Sequence, residues 1–488
     1  MRARRRWSVA GVLFLGAIGA VVVAVRSAPP APAATDATAG PTARLVTPLW
    51  SARRVPTRAV GLARAARVQQ VVASGPDGGN GCVAVGDGGT IRAGNRETEA
   101  LIPGSTQKLF TALAALDTLG PEARYETRAV AAAAPSGGVV DTLFIVGGGD
   151  PVLQTDDYTA WKQTQPALAG NAHTSLETFA DAIAHAGVTK VGRLVGDDSR
   201  YSDTRFLPVW DPLDAAHGEI GPLGALTVNS GFERFAGGTK VPSADPALLM
   251  LSRLRDALVA RGVTVGDALR HGSAPSDGAV IATATSPPLK DVVGELLRSS
   301  DNTTAELVVL EVGHHATGRD GTTTADGVTV VRRQLDAADV PGAGLTIVDG
   351  SGLSHDDRAT CAALVAALES EPPGLFDALA VAGRSGTLVA SMRETTAEGR
   401  LHAKTGTLTG VAGLAGTFDT AAGLSFAILL NGNFSTASGA TERNRIAVKI
   451  GDALTAPDPA AVVPAPGPPE PAVRPAPPVP AVRSAPPG

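Results

Sequence analysis

Apolar positions divide the chain into three kinds of segment. Near the N-terminus, an unbroken apolar run extends from Trp7 to Val25. Between about residues 59 and 455, short apolar runs with strand or helix spacing alternate with turns that contain Gly and Pro. Residues 27–58 and 456–488 are rich in Ala and Pro and have no such periodicity. The pattern therefore predicts a folded region between a Pro/Ala-rich linker and a disordered Pro-rich tail.

The folded region contains well-marked local elements. A strand is predicted over 81–86, because Asp87-Gly88-Gly89 after it is a hairpin signal. A helix opens at Pro103-Gly104-Ser105 and ends at Gly120-Pro121, since Gly and Pro terminate helices. The same reasoning predicts strands over 139–146, 188–195, 401–405, 413–418 and 424–430, and helices over 176–186, 247–260, 292–297, 304–312 and 440–454.

The N-terminal apolar run is flanked by arginines before it and by small residues and prolines after it. This order is the pattern of a secretion signal. The run is also long enough to cross a bilayer, with the arginines on the cytoplasmic side. Residues 1–26 are therefore predicted to be either a cleaved signal peptide or a membrane anchor that uses residues 7–25. Both alternatives place the rest of the chain outside the cytoplasm, in the cell envelope or secreted.

Composition and charge limit the kinds of partner and cofactor that can be expected. The formal net charge is −5 and aromatic residues make up 4% of the chain. Neither a basic patch nor an aromatic platform for nucleic acid is therefore expected. Cys82 and Cys361 belong to no metal-binding spacing, and no metal or other cofactor is expected. In an exported protein the two cysteines could form a disulfide, or they could be two small buried side chains.

Three short motifs carry the candidate chemistry. They are, in chain order, Ser105-Thr106-Gln107-Lys108, Ser300-Asp301-Asn302 and Lys404-Thr405-Gly406-Thr407. Each motif alone occurs by chance, in a helix cap or a loop. Their conjunction in this order is the set found in penicillin-binding proteins and class A β-lactamases. The set therefore indicates a serine acyl-transfer site.

Ser105 and Lys108 lie one helical turn apart and share a helix face. A serine hydroxyl needs a neighbouring base to become a nucleophile. A lysine becomes that base when burial or positive charge depresses its pKa, and we expect Lys404 to supply such a charge. Ser105 is thus the predicted nucleophile and Lys108 its predicted base.

The second motif falls between the predicted helices 292–297 and 304–312. Ser300 is a predicted proton relay between Lys108 and the leaving amine. Asn302 would orient Lys108 and form a hydrogen bond with the substrate amide.

The third motif would bind the substrate. Lys404 and Thr405 would hold a substrate carboxylate. Gly406 would let an edge strand approach the substrate closely, so that an extended peptide adds to that strand. The backbone N–H of Thr407 would complete an oxyanion hole with that of Ser105, at a helix N-terminus that favours negative charge.

With these motifs, the chain resembles the D-alanyl-D-alanine carboxypeptidase/endopeptidase family of the penicillin-binding protein 4 type, peptidase family S13. Further matching stretches are Gly148-Gly149-Asp150-Pro151, Gly196-Asp197-Asp198-Ser199, the run from Gly221 to Asn229, and the run from Asp349 to Ser354. The resemblance covers roughly residues 60–455. It implies an α/β (α+β) fold with a penicillin-binding transpeptidase/β-lactamase-like domain of antiparallel sheet and helices. That domain, 59–126 and 286–455, would be split by an inserted mixed α/β region, 127–285.

The resemblance also implies a function. The chain would be a serine-type D-alanyl-D-alanine carboxypeptidase or endopeptidase that acts on peptidoglycan stem peptides through an acyl-enzyme on Ser105. β-Lactam antibiotics would acylate the same serine as inhibitors. The preference between carboxypeptidase and endopeptidase activity stays open.

Two other functions share the motifs. Class A β-lactamases lack the insertion and carry an activating glutamate between the second and third motifs, whereas residues 336–350 contain no glutamate. We therefore expect slow release of bound penicillin and no efficient β-lactamase activity. A non-catalytic cell-wall-binding scaffold is the remaining alternative, although all the motif residues are present.

Overall fold

The computed structural model of the protein describes residues 55–76, 80–168, 170, 172–370, 375–419 and 424–454. The predicted signal or anchor and the predicted tail lie outside these residues, as does most of the predicted linker. A helix already begins at Val55, so regular structure starts slightly earlier than predicted. Apart from that first residue, the elements below belong to the unit Pro56–Gly488, which is separate from the unit Met1–Val55. No helix in the described part is long and apolar enough to span a membrane.

The strands of the described residues form two large sheets and two small ones. In chain order they are β1 Gly81–Asp87, β2 Thr90–Asn95, β3 Glu126–Ala131, β4 Val139–Val146, β5 Leu153–Gln154, β6 Thr174–Ser175, β7 Lys190–Asp197, β8 Phe232–Ala236, β9 Thr239–Pro242, β10 Thr264–Val265, β11 Leu269–His271, β12 Ala279–Thr285, β13 Ala380–Val381, β14 Leu401–Leu408, β15 Val411–Phe418 and β16 Ser425–Asn431.

The helices of the same residues surround these sheets. They are α1 Val55–Ser74, α2 Lys108–Leu119, α3 Asp156–Gln163, α4 Leu176–His185, α5 Pro212–Ala216, α6 Pro246–Val259, α7 Leu289–Ser299, α8 Asn302–Thr317, α9 Thr324–Ala337, α10 Cys361–Glu369 and α11 Thr436–Leu454. Short 3-10 turns cover Gly104–Gln107, Asn229–Gly231 and Gly386–Leu388.

The first large sheet is antiparallel throughout and has the strand order β13-β14-β15-β16-β1-β2. Its N-terminal hairpin joins the C-terminal strands through β1 and β16, where Gly81 lies opposite Leu430. Buried side chains of α2, α7, α8, α9 and α10 pack on one face, and those of α1 and α11 pack on the other. Since both faces are covered, β15 and β16 are buried at nearly every position.

The second large sheet has the order β10-β7-β4-β3-β12, with β11 also paired to β7. It is mixed, because β4, β10 and β11 run parallel to β7 while β3 runs antiparallel to its neighbours. Helices α4 and α6 bury their apolar sides in a core of its own. The predicted class, α/β with antiparallel sheet and helices, is therefore confirmed. The strands of this sheet run from Glu126 to Thr285, and the predicted domain boundaries stay a prediction.

A disulfide links the first sheet to a helix that packs on it. Cys82 on β1 and Cys361 at the start of α10 are bonded, with their Cα atoms 6.0 Å apart. Both residues are fully buried. Of the two alternatives that the sequence left open, the structure shows the disulfide.

Candidate active site

Ser105 lies in the 3-10 turn that leads directly into α2. Gly104, just before it, has a φ of +52°, a conformation that glycine adopts at little cost. A Cβ at this position would lie 3.1 Å from the backbone nitrogen of Thr407. The turn is therefore held against β14, which carries the third motif.

Lys108 is the first residue of α2 and is fully buried. Its Nζ donates to Ser105 Oγ at 2.9 Å, to Asn302 Oδ1 at 2.6 Å and to the Ser351 carbonyl at 2.7 Å. A charged lysine has three N–H groups, so these acceptors use them all. Burial lowers the pKa of Lys108 from 10.5 to about 8, although the negative charges of Asp349 and Glu306 oppose that shift.

The second motif divides its contacts between the two buried lysines. Ser300 has a left-handed backbone with a φ of 62°, and its Oγ accepts a 2.7 Å hydrogen bond from Lys404. Asn302 accepts from Lys108 through Oδ1 and donates through Nδ2 to the Glu219 carbonyl at 2.9 Å. Asn302 thus orients Lys108, whereas Ser300 contacts Lys404 in this state.

Lys404 on β14 is also fully buried. Its Nζ donates to the Thr405 carbonyl at 2.7 Å in addition to Ser300. Burial, then the positive charges of Lys108 and Arg443, holds the pKa of Lys404 well below its usual value. Burial is thus the main cause of the lowered pKa of both lysines, and Lys404 is not among the causes for Lys108, as we had expected it to be; instead, the charge of Lys108 lowers the pKa of Lys404.

The rest of the third motif lines an open strand edge. β13 pairs with β14 at His402 and Ala403, and among the described residues no other strand pairs with β14 on that side. A Cβ on Gly406 would clash with the Pro103 carbonyl. Glycine is therefore required here for the close approach of the turn that carries Ser105, and the close approach of a substrate to this strand stays a prediction.

The threonines of this motif have partners that the sequence did not indicate. Thr405 Oγ1 donates to Thr387 Oγ1 at 2.9 Å, from the 3-10 turn that follows β13. Thr407 is exposed, and its Oγ1 accepts from Arg443 Nη1 at 3.1 Å. Arg443 on α11 belongs to no short motif, so no signal in the sequence marked it.

The loop 349–354 supplies the third acceptor of Lys108. The Asp349 carboxylate accepts from the backbone N–H groups of Gly352 at 2.6 Å and Ser354 at 2.9 Å. It also accepts from Trp210 Nε1 at 2.8 Å. Asp349 therefore fixes the shape of the loop 349–354, to which the sequence alone assigned no role.

Glu306 on α8 binds the backbone of the same loop. It is fully buried and accepts from the N–H groups of Gly350 and Ser351 at 3.0 Å and 2.7 Å. Burial, together with the charge of Asp349, raises the pKa of Glu306 to about 8. With its N–H held by Glu306, Ser351 points its carbonyl at Lys108. A carboxylate at position 306, one of two in the otherwise mostly apolar run 304–312, was the signal that could have revealed it.

The motifs open on one cavity of about 570 Å³. Its lining from the motifs and α11 includes Ser105, Ser300, Asn302, Thr405, Thr407 and Arg443. The predicted inserted region contributes Tyr158, Lys162, Asp211, Asp214, His217 and Glu219. Lys162 is paired with buried Glu295. Within the described ranges, no group of three or more His, Cys, Asp or Glu is arranged to hold a metal ion.

Comparison with known proteins gives a consistent set of relatives. The family described as D-Ala-D-Ala carboxypeptidase 3 (S13) matches residues 65–240 and 236–450. The D-alanyl-D-alanine carboxypeptidase of an Actinomadura species is 30% identical over 438 residues, which cover 72% of this chain and 77% of the relative. Carboxypeptidase DacB of Mycolicibacterium smegmatis is 34% identical over 367 residues, which cover 72% of this chain and 74% of the relative.

Solved structures show the same fold. Penicillin binding protein 4 (dacB) from Haemophilus influenzae superposes with a TM-score of 0.62 at 20% identity, covering 79% of this chain and 97% of its own. A second structure of that protein, complexed with a novel β-lactam, gives a TM-score of 0.55 at 19% identity and covers 79% of this chain and 98% of its own.

Proposed function

The chain belongs to the D-Ala-D-Ala carboxypeptidase 3 (S13) family, and on that premise we propose that it cleaves D-alanyl-D-alanine ends of peptidoglycan stem peptides through an acyl-enzyme on Ser105. The observation that carries the assignment of the nucleophile is the 2.9 Å contact between Ser105 Oγ and the buried Nζ of Lys108. Burial lowers the pKa of Lys108 to about 8, so a useful fraction is neutral near pH 7 and can accept a proton.

Acylation begins with attack of Ser105 Oγ on the carbonyl carbon of the penultimate D-alanine. Lys108 takes the hydroxyl proton as the new C–O bond forms. The negative charge that develops on the carbonyl oxygen is stabilised by the backbone N–H groups of Ser105 and Thr407. The proximity of Gly104 to the Thr407 nitrogen supports that pairing.

Departure of the terminal D-alanine requires a proton on its amine. We assign its delivery to Ser300, which accepts a hydrogen bond from Lys404 and can therefore point its own proton elsewhere. In the tetrahedral adduct, Ser105 Oγ is bonded to the carbonyl carbon and has given its proton to Lys108. Lys108 returns that proton through Ser300 to the amine nitrogen, the C–N bond breaks, and the acyl-enzyme on Ser105 is left with free D-alanine.

Substrate binding falls to the third motif and to Asn302. Lys404 and Thr405 hold the terminal carboxylate, and Asn302 forms a hydrogen bond with the substrate amide. The open edge of β14 beyond its pairing with β13 supports addition of the peptide as a further strand, because unpaired strand edges expose N–H and C=O groups. Water then hydrolyses the ester on Ser105.

β-Lactams mimic the acyl-D-alanyl group and would acylate Ser105 in the same way. The β-lactam complex of the Haemophilus influenzae protein, which shares this fold, supports this part of the proposal. Asp349 and Glu306, the carboxylates with the largest effect on the pKa of Lys108, are engaged by backbone N–H groups of the loop 349–354. We therefore propose a penicillin target and no β-lactamase.

Because peptidoglycan lies outside the cytoplasm, an enzyme that acts on it must be exported. We propose that residues 1–26 direct this export, as a signal peptide or as a membrane anchor.

We also propose that 59–126 and 286–455 form the catalytic domain and that 127–285 is an insertion within it. The separate cores of the two large sheets support this division.

The test is muropeptide analysis by mass spectrometry. Purified protein is incubated with pentapeptide muropeptides and with D-alanyl cross-linked dimers, with the Ser105→Ala variant as control. We expect release of terminal D-alanine by the wild type alone, and the dimers show whether cross-links are also cut. Failure to change either substrate, together with no labelling by fluorescent penicillin, would mean that the chain is a binding scaffold.

A further inference from the structure

Arg443 is a buried cation in the wall of the cavity. It is 6% exposed and lies on α11, on the other side of β14 from the turn that carries Ser105. Its Nη1 lies within hydrogen-bond distance of the Gly406 carbonyl at 2.7 Å, the Gly413 carbonyl at 2.9 Å and Thr407 Oγ1 at 3.1 Å, and its two hydrogens are shared among these acceptors. All three acceptors are neutral oxygens, and two of them belong to the third motif.

No carboxylate in the described residues pairs with this guanidinium. Burial alone lowers the pKa of Arg443 to about 10, and its Nε is buried with no hydrogen-bond partner. The acid next to it in sequence, Glu442, pairs with Arg445. A buried charge without a counter-ion lowers the stability of a fold. Such a charge beside a cavity is therefore a candidate for a functional role.

The cavity offers such a role, because an anion bound in it could lie beside this guanidinium. Arg443 lines the same cavity as Ser105, Thr405 and Thr407. Its charge is also one of the causes, after burial and Lys108, that lower the pKa of Lys404. A bound carboxylate would relieve the repulsion between these cations.

The hydrogen bond from Arg443 to Thr407 determines which way the Thr407 hydroxyl can donate. A guanidinium can only donate, so Thr407 Oγ1 is the acceptor in that contact. The hydroxyl proton of Thr407 must then point elsewhere. Because Thr407 is exposed and lines the cavity, its proton is available to an anionic ligand there.

We propose that Arg443 is a positioning residue for the carboxylate of the substrate's terminal D-alanine, acting by fixing Thr407 as a donor and by adding positive charge beneath the third motif. The inference rests on the proposed function and adds to it a residue outside the three motifs. It makes acidic acyl-D-alanyl ligands the preferred class over neutral ones. The preference would come from the carboxylate and leave attack on the carbonyl largely unchanged.

The experiment compares two ligands that differ only in that group. Second-order acylation of the full chain by benzylpenicillin and by its methyl ester is followed by intact-protein mass spectrometry. For Arg443→Met we expect acylation by the free acid to fall by about tenfold to a hundredfold, the value of a charge-assisted hydrogen bond. Acylation by the ester should fall by less than about threefold, which is within ordinary variation for a site that keeps its geometry.

Two further variants complete the test. Arg445→Met, two residues along the same helix, should leave both rates near wild type. Arg443→Lys keeps the charge but replaces the planar guanidinium with a shorter side chain, so we expect an intermediate loss for the free acid and none for the ester. If the melting temperature of Arg443→Met shows that it folds poorly, Arg443→Lys replaces it in the comparison of the two ligands.

The outcomes separate the two proposals. An equal loss for acid and ester, or no loss for either, would overturn the role of Arg443 while leaving the proposed function intact. A wild type that neither penicillin acylates would overturn both.

Discussion

At the scale of single residues, the burial of Lys108 decides whether the site can work at neutral pH. With an ordinary pKa of 10.5, about 0.03% of a lysine is neutral at pH 7. With a pKa of about 8, roughly 10% is neutral. That gain of more than two orders of magnitude comes mainly from burial, and the contacts with Asn302 and Ser351 keep the amine beside Ser105.

The acylation rate should therefore rise with pH. Lys108 acts as a base only when neutral, and a lowered pKa means that the neutral form accumulates as pH passes from about 7 to about 9. We expect the rate of penicillin acylation to increase over this interval and then level off. Lys108→Arg, which stays charged, should lose at least about a thousandfold and show no rise. A flat or falling wild-type profile would argue against Lys108 as the base.

At the scale of elements, the region between the first two motifs holds partners of the groups that contact Lys108. Trp210 donates to Asp349, which shapes the loop whose Ser351 carbonyl faces Lys108. The Glu219 carbonyl accepts from the Asn302 side chain that contacts Lys108. The region 127–285 therefore lines the cavity and also helps to position Asp349 and Asn302 near Lys108.

Trp210→Phe tests this coupling. The change keeps an aromatic ring but removes the N–H that Asp349 accepts, which leaves a buried carboxylate oxygen with one donor fewer. We expect a loss of about 1–3 kcal/mol in the free energy of unfolding and slower acylation of Ser105. Both are measured by denaturant titration and penicillin labelling.

The matched control is Trp161→Phe. The Nε1 of Trp161 is buried with no hydrogen-bond partner, so its removal should cost little of either quantity. If both variants behaved alike, the hydrogen bond to Asp349 would have no special role.

The disulfide acts at the same scale, since it ties β1 to α10. Replacing both Cys82 and Cys361 by Ala should lower the free energy of unfolding by about 2–5 kcal/mol, as for other native disulfides. Neither cysteine lines the cavity, so the folded fraction should acylate at the wild-type rate. Urea titration of both proteins measures the difference, and equal stabilities would refute the prediction.

At the scale of the whole molecule, the site exists only where distant parts of the chain meet. The turn with Ser105 packs on β14 through Gly104 and Gly406, and the second motif lies between α7 and α8. Residues from the region 127–285 close the same cavity. The resulting surface suits a peptide that is bound along a strand edge and released after hydrolysis.

Penicillin should therefore remain attached once it has reacted. Asp349 and Glu306 are engaged by backbone N–H groups of their own loop, and residues 336–350 contain no glutamate. We expect the adduct mass on Ser105 to persist after free penicillin is removed, for much longer than one round of peptide hydrolysis. Rapid loss of the adduct with regeneration of free enzyme would indicate β-lactamase activity instead.

Local patterns in the sequence sufficed for much of this fold and for the members of the site. The helix after Ser105 ends at Leu119, just before the Gly120-Pro121 signal, and the predicted strand 139–146 coincides with β4. What escaped prediction depends on tertiary contacts. Arg443 is one arginine in an amphipathic helix, and nothing in its neighbours reveals that it reaches under β14.

The same limit explains the contact of Ser300. The motif set predicts Ser300 as a relay from Lys108, whereas in the structure Ser300 has a left-handed backbone and its hydroxyl accepts a hydrogen bond from Lys404. Helix α1 was missed because its first residues continue the composition of the linker before them. The two-residue strand β13 is too short to produce a pattern at all.

The pairing of β1 with β16 also has a consequence for how the protein is made. During synthesis Ser105 and Lys108 emerge well before Lys404 and before the strand that pairs Leu430 with Gly81. Such long-range pairing slows folding, and until it occurs the edge of β1 stays exposed to wrong partners. With the proposed roles of these residues, we expect a nascent chain that contains Ser105 but not yet Lys404 to have no hydrolase activity.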